Sequence, residues 1–443
     1  MARRHRLSSQ DRFIDWFQSV APYIHAFRGK VFVIAFGGDL ASDGRFYDLT
    51  HDLNLLAALG VHLVLVHGSR QQIEARLAER GHQSRFHRGL RVTDDIALAA
   101  AKEASGRLRV EIEAWLSMGL PNSPMAGADI RVASGNFITA KPIGVLDGID
   151  FMHTGEVRKV DAVAIQRRLA DNELVLLSPL GYSPTGEVFN LALEDVAAST
   201  AAALQAEKLI FMMDTPGVPS RRGELQRELT VKSAKSIIAR AGHADTDVHF
   251  YLPAAVRAIE QGVARAHLIS GHIDDSLLLE LFTHKGVGTL ITPDPIQTLR
   301  SARPEDIGGI LQLIEALESE GVLVKRNRGL LESEIGRFVV IEHDGIVIAC
   351  AALYPFPEER VGELAALAVH PHFRSQGAGE RLVSEIEARA KRMKLKRLFV
   401  LTTRAEHWFV ERGFTETGIE DLPAPKRELY NWQRRSVVLM KRI

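Results

Sequence analysis

The sequence predicts an α/β protein in two parts: a larger N-terminal domain with a mainly parallel sheet sandwiched by helices, then a smaller mixed α/β domain. Three observations predict it. The chain has 443 residues, more than one ordinary core accommodates. Short apolar runs at 31–36, 61–66, 174–177, 208–213 and 266–269 alternate with helical patterns, which is how parallel strands covered on both faces read. A composition break falls at 288–303, where Thr292-Pro293-Asp294-Pro295 interrupts an apolar region and a fresh strand-like start follows. The expected divisions are 1–28 for an N-terminal helix, 29–292 for the sheet domain and 293–443 for the second domain.

The first element is an amphipathic helix. Phe13, Phe17, Val20, Ile24 and Phe27 recur at spacings of four and three, enough to dock on the body or on another subunit. After the break, the pattern predicts a helix over 307–320 and a hairpin of 338–342 with 346–353, turned through His343-Asp344-Gly345. A strand over 362–369, a glycine-bearing turn, a helix over 380–394 and a strand over 397–401 follow.

Lys+Arg and Asp+Glu both count 55, so no net field draws the chain to nucleic acid or to an anionic membrane. The single cysteine, Cys350, excludes an internal disulfide framework and reads as a buried thiol in a strand. The 17 histidines are scattered without metal-ligand spacing, so no metal site is predicted. Residues 1–12 are basic but lead into the amphipathic helix, and no later run is long enough to span a bilayer. These features predict a cytoplasmic protein.

The run Arg374-Ser375-Gln376-Gly377-Ala378-Gly379 stands between an apolar strand and a helix. Two glycines there let the backbone approach a pyrophosphate, with the helix N–H groups facing its charge. Such a turn equally serves nucleotides or packing. Read with His407-Trp408-Phe409-Val410-Glu411-Arg412-Gly413-Phe414 and the opening Arg303-Pro304 with Asp306, the order resembles the GCN5-related N-acetyltransferase (GNAT) family. The resemblance implies acetyl-CoA as co-substrate, no metal, and two splayed strands at 364–369 and 399–403. Main-chain groups of Leu367 and Val369 would meet pantetheine, and Arg374, Gln376, Gly377, Ala378 and Gly379 the pyrophosphate. Acetyl transfer needs a neutral amine, and Glu363, at the start of the acyl strand, is the expected general base. Phe409 stands where many members carry a tyrosine that protonates the thiolate. Thr402 is the nearest hydroxyl for an acid or a substrate contact, and a structural strand-end threonine is an equal reading.

Pro22-Tyr23-Ile24, Arg28-Gly29-Lys30, Gly37-Gly38, His67-Gly68, Gln72-Ile73, Gly89-Leu90-Arg91-Val92-Thr93-Asp94, Ser134-Gly135-Asn136 and Ala206-Glu207-Lys208 resemble, in order, the amino-acid kinase family in its N-acetylglutamate kinase branch. Phosphoryl transfer needs cations and open glycines around the phosphates. Here Ala35 replaces the lysine before Phe36-Gly37-Gly38, Ser69-Arg70 follow His67-Gly68, Glu194 replaces an aspartate, and the lysine near Tyr251 is absent. The domain is therefore expected to regulate rather than catalyse.

The two resemblances cover nearly all of the chain. They imply acetyl transfer to the α-amine of L-glutamate, the first step of arginine biosynthesis, with L-arginine as effector and a homo-oligomer joined through the N-terminal helix. Arg326, Arg434 and Ser436 would hold the glutamate carboxylates, and a one-residue slip would exchange Arg434 with Arg435. Tyr23, His267, Glu280, Gly286 and Gly288 would surround arginine. Two alternatives stay open: an acetyltransferase for another amino acid, and a non-catalytic arginine sensor.

Overall fold

The computed structural model describes residues 9–42, 44–240, 246–283, 286–319, 323, 328–343, 345–374, 377–428 and 436–443. It divides into two units, Met1–Asp294 and Pro295–Ile443. In the first, helix α1 (Ser9–Phe27) leads into strands β1 (Val31–Phe36), β2 (His62–His67), β3 (Arg131–Ala133), β4 (Glu173–Leu177), β5 (Lys208–Met213), β6 (Glu228–Thr230) and β7 (Arg265–Ser270). Helix α2 (Ser276–Phe282) and strand β8 (Thr289–Thr292) close it. The strand order is β6-β8-β7-β5-β1-β2-β4-β3, and neighbours pair parallel except β7 with β8.

The central strands are apolar at nearly every position because both of their faces are buried. Phe32, Ile34 and Phe36 join a core with helices Arg45–Ala58 and Asp95–Leu116. Val33 and Ala35 join the opposite core with helices Leu193–Ala203 and Asp247–Glu260. Phe32, Phe36 and Phe46 are fully buried, each contributing about 1.5–3 kcal/mol. The C-terminal end of α1 enters this packing through buried Val20 and Phe27, while Ile14 and Phe17 stay 51% and 55% exposed. A four-stranded sheet of Val188–Asn190, Leu180–Tyr182, Ile138–Pro142 and Gly155–Val160 lies outside the sequence expectation. Its strands are short and half exposed, so they carry little apolar signal.

The second unit contains β9 (Gln297–Ser301), α3 (Ile307–Ser319), β10 (Phe338–His343), β11 (Ile346–Phe356), β12 (Val361–Val369), α4 (Ala378–Arg392), β13 (Arg397–Thr402), α5 (Glu406–Val410), β14 (Thr415–Thr417), α6 (Ala424–Glu428) and β15 (Val437–Arg442). The sheet order is β9-β10-β11-β12-β13-β15-β14. Helix α4 covers one face through Leu382, Val383 and Ile386, and α3 the other through Ile310 and Ile314. The segment 288–303, read from composition as one break, is two strands of two different sheets: β8 ends the first sheet and β9 begins the second. The hairpin turn carries Gly345 at φ +78°, and Asp344 lies outside the described residues. Among the described residues no helix is long and apolar enough to cross a membrane.

His67 ends β2 in full burial. Its Nδ1 lies 3.1 Å from the Gly68 carbonyl and its Nε2 2.8 Å from Ser178 Oγ, so the proton sits on Nδ1 and Nε2 accepts from the hydroxyl. Burial pushes its pKa from 6.5 down to about 4, with Arg109 adding to the fall and the Gly68 bond opposing it. Between those values the unfolded chain binds the proton that the native state refuses. The contribution of neutral His67 is therefore complete above 6.5 and drains away as pH falls through about 4. In His67→Asn, the stability of the N-terminal unit measured by urea unfolding should decline less steeply over that range than in the parent. Equal slopes would remove His67 as a source of the acid sensitivity.

Candidate functional site

Strands β12 and β13 run parallel but pair at only three positions: Val361 with Arg397, Gly362 with Leu398, and Glu363 with Phe399. Beyond that rung β12 continues for six residues and β13 for three, with no pairing between them. The cause lies on the other side of β12. Its register with β11 shifts between Cys350 and Ala352, where Ala366 adopts φ +52° and its carbonyl accepts from Cys350 Sγ at 3.5 Å. This is a β-bulge, which bends the strand and raises its twist. It also moves the side-chain phase by one. Leu364, Leu367 and Val369 share the α4 face, while Ala366 and Ala368 face α3. The His370 N–H donates to the Ile348 carbonyl, so Val369 occupies a non-hydrogen-bonded position against β11. The main-chain groups of Val369, and by alternation of Leu367, therefore point toward the edge that β13 has left.

Glu363 sits at the vertex of this split, buried. Val361 and Phe399 share a small core with Leu422, Val438 and Met440, and period two puts the Glu363 side chain on that face. There its Oε2 meets Lys426 Nζ of α6 at 2.7 Å. By register count Thr402 lies level with Ala366, roughly 10 Å along the strands from Glu363. Thr402 Oγ1 accepts the N–H groups of Arg404 at 3.3 Å and Ala405 at 3.0 Å, so it shapes the turn into α5. Its hydroxyl proton remains available to a substrate. Phe409 is buried against Phe414 with ring centroids 5.4 Å apart, and offers no hydroxyl.

The glycine turn enters α4 two residues earlier than the sequence predicts. Gly377 takes φ +80° as the N-cap, a left-handed conformation that favours glycine, and a Cβ there would meet nothing within 4 Å. The first-turn N–H groups, Ala378 and Gly379 included, have no acceptor within the helix by its geometry. A Cβ at Gly379 would come within 2.9 Å of the Trp408 ring, so its missing side chain makes room for the indole. Trp408 is backed by the Arg412 guanidinium 3.7 Å from its ring, and Arg412 pairs with Glu380. Arg374 is exposed, with Nε 3.4 Å from the Val369 carbonyl, which puts its cation beside the open edge. Ser436 is buried just before β15. Gln376, Arg326, Arg434 and Arg435 lie outside the described residues.

The residues expected around an effector converge in the first unit. Glu280 of α2 is buried, with Oε1 2.8 Å from His267 Nδ1 and Oε2 accepting the N–H groups of Val287 at 2.7 Å and Gly288 at 2.9 Å. Lys208 Nζ lies 3.4 Å from His267 Nε2 and 5.0 Å from the centroid of the Phe27 ring. Burial, aided by the Lys208 charge, pushes the His267 pKa down, so a neutral ring donates to Glu280 and accepts from Lys208. Burial alone would raise Glu280, but the bonds from His267, Gly288 and Val287 outweigh it and hold its pKa below the usual carboxylate range. Both Glu280 oxygens are thus engaged within the chain, and what Glu280 secures directly is the 286–288 turn. Gly286, at φ +55°, and Gly288 are tight because a Cβ on the first would strike Glu280 and on the second the Leu268 carbonyl. Tyr23 of α1 meets Phe282 edge-on at 6.5 Å and Phe27 at 6.0 Å.

A cavity of about 410 Å³ opens at the carboxyl ends of the first sheet, lined by Gly37, Gly38, Ser69, Arg70, Glu194 and Asp247 among others. The Arg70 guanidinium lies 4.9 Å from the Phe86 ring and 5.8 Å from the Phe250 ring. Ala35 is buried in the sheet, and Tyr251 stacks on Phe211 at 4.8 Å. Burial pushes the Glu194 pKa up, and Asp195 adds to it. Among the described residues no group of three or more His, Cys, Asp or Glu side chains is placed to hold a metal.

Gly379→Ala tests the packing role. Its Cβ must displace the Trp408 indole, so the C-terminal unit should lose about 1–3 kcal/mol in urea unfolding. Unchanged stability would show that the indole has room to yield.

Comparison with known proteins agrees with this architecture. The Amino acid kinase family matches residues 30–270, and the Acetyltransferase (GNAT) family matches residues 310–414. The Amino-acid acetyltransferase of Ralstonia nicotianae is 56% identical over 434 residues, covering 98% of this chain and 96% of that protein. The crystal structure of N-acetylglutamate synthase from Neisseria gonorrhoeae with coenzyme A and L-arginine is 38% identical, covers 97% of this chain and 99% of its own, and superposes with a TM-score of 0.86. The same enzyme with coenzyme A and N-acetyl-glutamate gives 0.62 at the same identity and coverage. A chain with a split acetyltransferase sheet, a kinase-like sheet domain and relatives this close along its whole length belongs to the amino-acid acetyltransferase family.

Proposed function

We propose that this protein transfers acetyl from acetyl-CoA to the α-amine of L-glutamate, giving N-acetyl-L-glutamate and CoA, as the first step of arginine biosynthesis under feedback regulation by L-arginine. The observation that carries the reading is the split between β12 and β13 with Glu363 at its vertex. On this reading the main-chain groups of Leu367 and Val369 along the edge that β13 leaves receive pantetheine, and the first turn of α4 receives the pyrophosphate with Arg374, Gln376, Gly377, Ala378 and Gly379 beside it. The Neisseria gonorrhoeae enzyme, seen with coenzyme A and with N-acetyl-glutamate, supports both assignments.

The chemistry follows from position. Glutamate arrives as an ammonium, which has no lone pair. Glu363 takes one proton directly or through one water, the amine nitrogen bonds to the thioester carbon, and as the C–S bond breaks the nitrogen's second proton leaves to neutralise the departing CoA thiolate. The residue aligned with the family's tyrosine is Phe409, which has no hydroxyl to protonate that thiolate. The Thr402 hydroxyl, level with the bulge, is the candidate proton donor or substrate contact. Arg326, Arg434 and Ser436 are the candidates for the acceptor's carboxylates.

In the first unit, the crowding of the former phosphate path by Arg70 and the loss of the lysine at Ala35 support a regulatory role over a kinase one. Tyr23, His267, Glu280, Gly286 and Gly288 are the candidate arginine contacts, and the relative's complex with L-arginine supports an arginine site in a chain of this architecture. Exposed Ile14 and Phe17 on α1 support a homo-oligomer joined through that helix.

The test is to incubate the protein with acetyl-CoA and L-glutamate, with and without L-arginine, and to identify the product by mass. The expected product is N-acetyl-L-glutamate, formed at an arginine-dependent rate. Glu363→Gln should lower kcat by roughly 10²–10⁴-fold while leaving acetyl-CoA affinity unchanged, since the group acts in the transition state. Equal turnover in the two proteins would remove Glu363 from the base role.

A further inference from the structure

The mechanism above leaves one contact unused, the ion pair between Lys426 and Glu363. Lys426 Nζ stands 2.7 Å from Glu363 Oε2, with the Glu363 side chain 10% exposed and that of Lys426 27% exposed. Glu363 is where the acceptor's ammonium must deliver its proton, so in this structure an internal ammonium occupies that seat. A second ammonium brought to the same carboxylate meets the like charge of the first unless that charge withdraws. Lys426 is equipped to withdraw, because its four-carbon stem is flexible and about a quarter of it already faces solvent.

Where the cation goes decides what the site accepts. An α-amino acid carries its ammonium and its carboxylate on the same carbon. When its ammonium takes the place of Lys426 at Glu363, its carboxylate arrives beside the displaced lysine, and one ion pair becomes two. A plain amine, or an amino acid whose α-carboxylate is masked, would displace Lys426 and leave that charge without a partner at a half-buried site. Sites built this way select strongly, because the wrong substrate strands a charge of the protein.

We propose that Lys426 is a specificity-determining residue of the acceptor site: it holds the ammonium seat at Glu363 when the acceptor is absent, and pairs with the acceptor's α-carboxylate when it is present. This rests on the reading of Glu363 as the base in acetyl transfer to L-glutamate. A residue that merely anchored α6 to β12 would affect all acceptors alike.

The experiment compares kcat/KM for L-glutamate with that for L-isoglutamine, which keeps the amine and the side-chain carboxylate but masks the α-carboxylate as an amide. The parent protein should prefer glutamate by at least roughly 100-fold. Lys426→Met should reduce the preference below about tenfold, chiefly through a higher KM for glutamate, and Lys426→Arg should restore it. An unchanged ratio in Lys426→Met, or a parent enzyme that uses both acceptors equally, overturns the inference while leaving glutamate acetylation intact. A parent enzyme that acetylates neither overturns the acceptor reading and this inference with it. Should Lys426→Met fail to fold, Lys426→Gln is read in its place, and the parent's ratio still decides independently.

Discussion

The parting of β12 from β13 after a single shared stretch is the constraint on which the catalytic half depends. A parallel pair normally satisfies its main-chain groups continuously, and unpaired groups at a sheet interior are costly. Here the bulge at Ala366 turns β12 away and shifts its side-chain phase. That leaves the groups of Leu367 and Val369 facing the edge that β13 has left, where Arg374 Nε meets the Val369 carbonyl. The same geometry keeps Glu363 on the last paired rung, held by the sheet on one side and by Lys426 on the other. Rigidity at the base and openness one step beyond it come from the same short length of pairing.

The N-terminal unit uses buried polarity for a different end. Lys208, His267, Glu280 and the N–H groups of 287 and 288 form one line of donors and acceptors from β5 through β7 to the turn after α2. Phe27, Tyr23 and Phe282 pack beside it. A helix end, a sheet core and a glycine turn are therefore tied to the same few atoms, which is the arrangement a binding event needs if it is to move the turn and the helix together.

Much of this was legible in the sequence, and the rest was hidden for physical reasons. Continuous apolar runs at 31–36 and 208–213 declared a sheet buried on both faces, and the strands occupy those residues. The four-stranded sheet over 138–190 escaped because short, half-exposed strands of three to six residues leave little periodic signal. The split between the acyl strands was expected from a family resemblance, but its cause was not: nothing about an alanine announces a left-handed bulge at 366. Gly379 shows the opposite difficulty. A glycine beside a helix start reads as a phosphate contact, and only the position of Trp408, far along the chain, reveals that it also clears space for an indole. Lys426 was invisible because a lysine in a polar stretch reads as surface until the fold brings it to Glu363.

The most direct test of the central claim is backbone hydrogen exchange across β12 with and without coenzyme A. If the open edge receives the thioester, the amides of Leu367 and Val369 exchange freely in the unliganded protein and become protected at saturation. His370, already bonded to Ile348, should be slow in both states. Protection of Leu367 and Val369 without ligand, or no gain in protection on binding, would contradict the account.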